Sequence, residues 1–439
     1  MRALCFHIWR SRWTPVAAAV VVASIVPIGL ASAAPGPRQS ARHTDDQFGF
    51  GHHAQWVSTW GASPQTAIPG TPDASGFNNQ TIRNIVFTSV SGNLVRVRFT
   101  NTFGNQTLQI GAATISVAGT GAATTGRNVP LTFGGQPSVQ IPTGAEALSD
   151  PVRLNVPALQ DLAVSVYLPT ATGSATLHSL GRQTTYVASG DHTGDSGASA
   201  YSTLDQSWYF IDSVDVISQP QVRGTLVAFG DSITDGFNST VNANARWPND
   251  LARRLDSGRD SLAVADEGIS GDRFLTSDLC CGVNALDRLD RDVLLRAGVK
   301  EVILLMGIND IGFSVTPPNP VTNPLPDVSA AQIIAGYQQI IAQAHAAGLK
   351  IFGGTLTPFK DAGYYSTAGE LKREAVNTWI RTSGAFDGVI DFDAVVRDPS
   401  NPLAINPPFD SGDHLHPNDA GYQAMANAIP LRLLLGGER

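Results

Sequence analysis

Leu226-Val227-Ala228-Phe229 is an uninterrupted apolar run that stops at Gly230 and gives way at once to Asp231-Ser232-Ile233-Thr234. A run this short, closed by glycine, reads as a strand buried on both faces, the situation of a parallel sheet covered by helices. Asp231, Ser232 and Thr234 favour turns and helix N-caps. Ser232 is therefore expected just past the carboxyl end of a central strand, where open α/β sheets place their ligand crevices. A serine there is most often only a cap. What raises it above that is the far end of the chain, where Asp413-His414-Leu415-His416-Pro417 sets a carboxylate and an imidazole three residues apart.

The pattern around this run alternates strands and amphipathic helices from Gln219-Pro220 onward. Strands are expected at 226–229, 262–265, 301–306, 350–355 and 388–392, and helices at 246–255, 284–295, 330–347, 370–382 and 419–434. In the third helix Ile333, Ile334, Tyr337, Ile340, Ile341 and Ala344 make one apolar face, and Gly348 supplies a stop. The fold class is α/β, a parallel five-stranded sheet with helices on both faces. The segment 312–327 carries five prolines and reads as a long loop at the crevice end.

Upstream, from about Trp56 to Val216, the signal is β. Segments 81–90 and 94–103 are expected as a hairpin turning at Ser91-Gly92-Asn93. Val95, Val97 and Phe99 share its inner face, and Arg96 and Arg98 point to solvent. Further short strands at 108–117, 139–141, 152–156, 162–168 and 176–180 make an antiparallel β-sandwich. His178 and His192 stand apart, without the neighbours of a metal site.

The first residues have a different use. Arg2, Arg10 and Arg12 precede an apolar run from Val16 to Leu30, and Ala31-Ser32-Ala33 offers small residues for cleavage. Residues 1–34 thus read as a signal peptide cut near Ala33 or Ala34, giving a secreted, extracellular protein. The run is short for a bilayer span and no second one exists, so stable membrane insertion is not expected. Residues 35–54 are polar and read as a flexible tether, 55–219 as the β-sandwich domain and 220–439 as the α/β domain. Cleavage removes three arginines and no acid, taking the net charge from −8 to about −11. An acidic chain without a basic cluster argues against nucleic acid as a partner. The sequence fixes no oligomeric state. Of the three cysteines, Cys280 and Cys281 survive cleavage as an adjacent pair. A strained vicinal disulfide and a pair of thiols are both open, whereas two thiols alone lack the ligand count for zinc.

Four short blocks now fall at strand ends in order. They are Gly230-Asp231-Ser232-Ile233-Thr234, Gly268-Ile269-Ser270-Gly271-Asp272, Gly307-Ile308-Asn309-Asp310 and Asp413 to Pro417. In these blocks the second half of the chain resembles the GDSL-type, or SGNH, hydrolase family of esterases, lipases and acylhydrolases with a flavodoxin-like fold. Each block alone is weak; four in order over about two hundred residues are specific. With Trp56 to Pro64 and Ser149-Asp150-Pro151-Val152, the chain is further similar to a secreted two-domain branch of arylesterases and xylan-associated acylhydrolases. The resemblance implies a serine carboxylester hydrolase without metal or organic cofactor. Its substrate would be a small ester or an acylated carbohydrate, such as an acetyl ester on a polysaccharide.

The chemistry needs these residue types. A serine hydroxyl attacks only when a base takes its proton, and His416 has the family's spacing for that base, in preference to His414. Asp413 would fix its tautomer and stabilise the imidazolium. By the resemblance, the oxyanion hole consists of the backbone N–H groups of Ser232 and Gly271 and the side-chain amide of Asn309. Asp231, Thr234 and Asp310 read as structural, bracing turns. Pro417 and Asn418 would start the last helix, and His345 is a surface residue. One residue departs from the family pattern: Asp266 stands two positions before Gly268 where an asparagine is usual. A carboxylate there cannot donate a hydrogen bond to the glycine turn unless protonated. A lipid or lysophospholipid acylhydrolase, an acyltransferase, and a carbohydrate-binding protein with an inactive hydrolase half are the competing functions.

Overall fold

A computed structural model describes residues 55–436 of the chain, apart from 257, 259, 318 and 319. The expected signal peptide and the tether lie outside the described residues. The β-rich region contains two large antiparallel sheets. One orders Trp56–Gly61, Ile211–Ile217, Gly92–Thr100 and Val152–Val156, with Glu146–Leu148 also paired to Gly92–Thr100. The other orders Ser202–Asp205, Thr185–Ser189, Gln80–Phe87, Asp161–Leu168, Ala112–Ala118 and Thr124–Pro130. Val95, Val97 and Phe99 of the first meet Ile82, Ile115 and Val164 of the second in one apolar core.

The expected hairpin at Ser91-Gly92-Asn93 is not formed. Gln80–Phe87 and Gly92–Thr100 belong to different sheets, so the connection is an arch between them. Thr59 holds that arch: its Oγ1 accepts from the N–H groups of Ser89 (3.1 Å) and Val90 (3.0 Å). Gly92 packs where a Cβ would strike Val216. Alternation along each strand was legible, but the partner of a strand is decided by contacts far away in sequence. Arg96 and Arg98 do not run free into solvent either. Arg96 pairs with the buried Asp215 at 3.1 Å, and Arg98 with Glu146 at 3.2 Å.

The α/β region has the expected parallel sheet, built from β1 (Val222–Gly230), β2 (Ser261–Gly268), β3 (Val299–Leu305), β4 (Lys350–Gly354) and β5 (Gly388–Ile390). Its order is β2-β1-β3-β4-β5, every pair parallel. β1 is central and Leu226 to Phe229 are fully buried. The chain leaves β1 to one side for β2 and returns on the other for β3. The carboxyl ends of β1 and β3 therefore flank the point where strand order reverses, which opens a crevice. The helices form two layers: α1 (Trp247–Asp256) packs on α4 (Asp419–Ala428), while α2 (Ala330–Ala346) packs on α3 (Thr367–Thr382). A reciprocal capping box of Ser329 and Gln332 starts α2. The expected helix 284–295 is a short α-helix, Ala285–Leu289, continued as a π-helical turn, and the one expected at 419–434 breaks at Pro430.

The described residues belong to one compact unit. Strand Trp56–Gly61 lies against β2, and Ala263 of β2 belongs to the core of the β-rich region. Ser58 N–H donates to Thr225 Oγ1 (2.9 Å) and Val264 N–H to Ser89 Oγ (2.9 Å). The buried Arg296 guanidinium meets Glu267 at 2.6 Å and Asp212 of the other region at 3.3 Å. The two regions therefore share an interface of buried polar and charged groups.

Candidate active site

The crevice begins where β1 stops. A Cβ on Gly230 would collide with the Thr234 side chain and come within 2.8 Å of Leu305 O, so only glycine lets the chain turn this tightly. Asp231 then caps the single helical turn Ser232–Asp235, its Oδ1 accepting from Ile233 N–H at 3.0 Å. Burial pushes the Asp231 carboxyl up to about 7 against that hydrogen bond. As the first residue of the turn, Ser232 has a backbone N–H with no partner inside the helix.

The segment before α4 brings the imidazole to it. Asn418 caps α4, Asp410 pairs with Pro417 in an isolated bridge, and the loop between them turns His416 inward. His416 Nε2 lies 2.8 Å from Ser232 Oγ, and Nδ1 lies 2.6 Å from Asp413 Oδ2. Ser232 and His416 are both only 2 % exposed, so water competes little for this pair. An ionised carboxylate can only accept, so Nδ1 holds a proton and Nε2 is left to accept from the Ser232 hydroxyl. Burial alone would raise the Asp413 carboxyl. The His416 ring and the N–H groups of His416 and Leu415 outweigh it and hold the group down at about 2. His414 faces away, half exposed, with Nδ1 on Asp410 at 2.6 Å.

The two remaining expected donors follow the neighbouring strands, Gly271 after β2 and Asn309 after β3. Gly271 is the third residue of a turn closed by Asp272 N–H on Ile269 O at 3.1 Å. Its φ of +80° and the Cys281 sulfur in the place of a Cβ leave room for glycine alone. Asn309, at the start of the short helix after β3, is fixed at both ends of its amide. Tyr364 O–H donates to Oδ1 at 3.0 Å, and Nδ2 donates to Asp272 O at 2.8 Å. One Nδ2 hydrogen is left over for another acceptor. Asp310 braces the same corner by accepting from Phe274 N–H (2.7 Å) and Leu275 N–H (3.0 Å); burial pushes its carboxyl up to about 6.

Asp266 fills its place differently from an asparagine donor: its Oδ1 accepts from Gly268 N–H at 3.0 Å. The turn needs an acceptor, which a carboxylate provides in either protonation state, and burial pushes this one up to about 7. Several residues around the site gave no sequence signal. Asn238 Nδ2 donates to Asp413 Oδ2 at 3.0 Å and to Ser411 Oγ at 2.9 Å. The Phe237 ring packs 4.5 Å from the His416 ring. Arg288, fully buried, ties Gly230 O (2.9 Å) to Asp272 Oδ2 (2.8 Å). An arginine beside Asp287 in a short helix reads as a solvated face, and nothing in the local pattern says otherwise. Among the described residues no group of three or more His, Cys, Asp or Glu is arranged to hold a metal ion. No helix among them is long and apolar enough to cross a membrane.

Comparison with known proteins bears on this segment. Residues 228–424, which contain Ser232, Gly271, Asn309, Asp413 and His416, match the GDSL-like Lipase/Acylhydrolase family. Among solved structures, a lipase/acylhydrolase from Enterococcus faecalis is similar at 21% identity and a TM-score of 0.37, over 48% of this chain and 96% of its own. The aryl esterase of M. smegmatis aligns at 16% identity and a TM-score of 0.36, over 47% and 95%. An acetylxylan esterase from Geobacillus stearothermophilus aligns at 16% and 0.36, over 49% and 96%. No curated protein matches the chain.

Proposed function

The chain carries a GDSL-like lipase/acylhydrolase domain, a carboxylic ester hydrolase, and from that premise we propose that Ser232 is its nucleophile, His416 its general base and Asp413 the carboxylate that orients the base. The observation that carries this is the buried chain Ser232 Oγ, His416 Nε2, His416 Nδ1, Asp413 Oδ2, with steps of 2.8 and 2.6 Å. As Oγ attacks the ester carbonyl, Nε2 takes the hydroxyl proton, and Asp413 stabilises the imidazolium. The oxyanion takes hydrogen bonds from the N–H groups of Ser232 and Gly271 and from the remaining Nδ2 hydrogen of Asn309. When the C–O bond breaks, the alcohol leaves with the proton from His416. Water then attacks the acyl-enzyme by the same route, giving the acid and restoring Ser232.

We read the protein as secreted, the two antiparallel sheets of 55–219 as a sandwich, and the substrate as a short acyl ester, an acetyl group on a polysaccharide being the leading instance. The motifs shared with the arylesterase and xylan-associated branch support that choice. In the test, wild type and Ser232→Ala are compared on nitrophenyl esters of increasing chain length and on acetylated xylan, with a fluorophosphonate as active-site probe. The variant is expected to fold, to lose at least about 10⁴-fold in turnover and to take no label. Retained activity or labelling elsewhere removes Ser232 from the role. A rate that climbs with chain length makes the protein a lipid acylhydrolase.

A further inference from the structure

We propose that His178, contributed by the β-rich region, is a positioning residue of the esterase site: through Asp235 it sets the backbone of the turn that presents Gly271 N–H to the oxyanion. This rests on the reading of Ser232 and Gly271 above. His178 belongs to the short strand Thr176–His178, and its ring is 2 % exposed beneath Trp208, whose ring centroid lies 5.4 Å away. Nδ1 lies 2.8 Å from Ser63 O and Nε2 lies 3.0 Å from Asp235 Oδ1. Ser63 O and Asp235 Oδ1 thus hold the ring at both of its nitrogens.

Asp235 is where the two halves of the site meet. It ends the helical turn that Ser232 starts, its N–H bonding back to Asp231 O at 2.9 Å. Its second oxygen, Oδ2, accepts from both the N–H (3.0 Å) and the hydroxyl (2.5 Å) of Ser270, the residue before Gly271. Gly268 opens the same turn against the Asp235 backbone, where a Cβ would come within 2.8 Å of the Asp235 Cα. One carboxylate therefore spaces the nucleophile turn from the glycine turn, and His178 is what fixes the carboxylate. Without that ring, Oδ1 faces a buried gap with no donor, and Asp235 is free to rotate away from Ser270. An oxyanion donor displaced by a fraction of an ångström loses its transition-state bond while ground-state binding is little affected.

Ser63 strengthens the connection from the same region. Its hydroxyl accepts from Arg288 Nη1 at 2.9 Å and donates to Glu267 Oε2 at 2.8 Å, and Arg288 in turn holds Gly230 O and Asp272. The β-rich region thus grips the glycine turn at Ser270 through His178 and at Asp272 through Ser63. Nothing in the sequence pattern marks His178, which stands alone in a short strand.

The experiment measures kcat and KM on nitrophenyl acetate for full-length His178→Ala, His178→Gln and Ser232→Ala, with melting temperature and fluorophosphonate labelling rate. His178→Ala is expected to lower kcat and the labelling rate about 10- to 100-fold with KM within roughly twofold of wild type. His178→Gln, which keeps a donor towards Asp235, is expected to recover part of the loss. Should the alanine variant not fold, the glutamine variant decides: kcat reduced at unchanged KM supports the proposal. Wild-type kcat in folded His178→Ala overturns it, as does a loss confined to KM; if only the glutamine variant folds, wild-type kcat in that variant overturns it. Activity remaining in Ser232→Ala would instead overturn the nucleophile assignment, and so the two failures are told apart.

Discussion

Two histidines two residues apart each hold a carboxylate, and the backbone decides which of them reaches Ser232. His414 takes φ of +63° and turns outward to Asp410, while His416 turns inward to Asp413 and Ser232. The i to i+3 spacing of Asp413 and His416 was legible because it belongs to a local loop. The partner of the imidazole, 184 residues away, was legible only through the block resemblance. His416→Ala is expected to match Ser232→Ala in severity, since members of one catalytic unit are not additive. His414→Ala loses only a half-exposed ion pair and should stay within about threefold of wild type. Measured kcat/KM for the two variants ranks them, and the opposite ranking would assign the base to His414. Asn238 and Phe237 escaped notice for the reverse reason: each acts on the same loop from six and five residues past Ser232, where polar and aromatic side chains carry no spacing rule.

At the scale of elements, what could be read was whatever depends on neighbours in sequence. β1 announces itself by four apolar residues and a glycine, α2 by its three-and-four repeat, and their order gives the parallel sheet. Strand pairing in the β-rich region depends on contacts a hundred residues apart, so alternation gave the faces but put Gln80–Phe87 and Gly92–Thr100 in one hairpin instead of two sheets. Charges misled in the same way. Arg96 and Arg98 look like solvent residues until the buried aspartates that meet them are known. The glycine turn 268–272 is the element with least freedom, because Gly271 needs a left-handed backbone and has the Cys281 sulfur against it. Gly271→Ala should cost about 1–3 kcal/mol of stability from the strained φ alone. If its N–H is the oxyanion donor proposed above, the change should also lower kcat on nitrophenyl acetate by about tenfold or more. Thermal melting and steady-state kinetics read the two effects separately, and an alanine variant with full kcat would remove the Gly271 N–H from the site.

Across the whole molecule, the interface explains why the two regions should not work apart. It is made of buried polar groups that complete one another. Cutting the chain at Pro220 leaves Arg296 without Asp212, Arg288 and Glu267 without Ser63, Asp235 without His178, and Thr225 without Ser58. A buried polar group that loses its partner costs about 1–3 kcal/mol, and more when charged, so several together approach the whole stability of a domain. The apolar side of β2 at Ala263 would also be bared to water. Residues 220–439 expressed alone should therefore be poorly soluble, or fold with a melting temperature well below that of the full chain and with lower kcat on nitrophenyl acetate. Adding the β-rich region in trans should not restore the rate unless the strand Trp56–Gly61 can dock beside β2. Solubility, melting temperature and kcat of the fragment beside the full chain make the measurement. A soluble fragment with the full-length kcat would mean that the β-rich region is an independent module, and that its contacts with the glycine turn do nothing for the site.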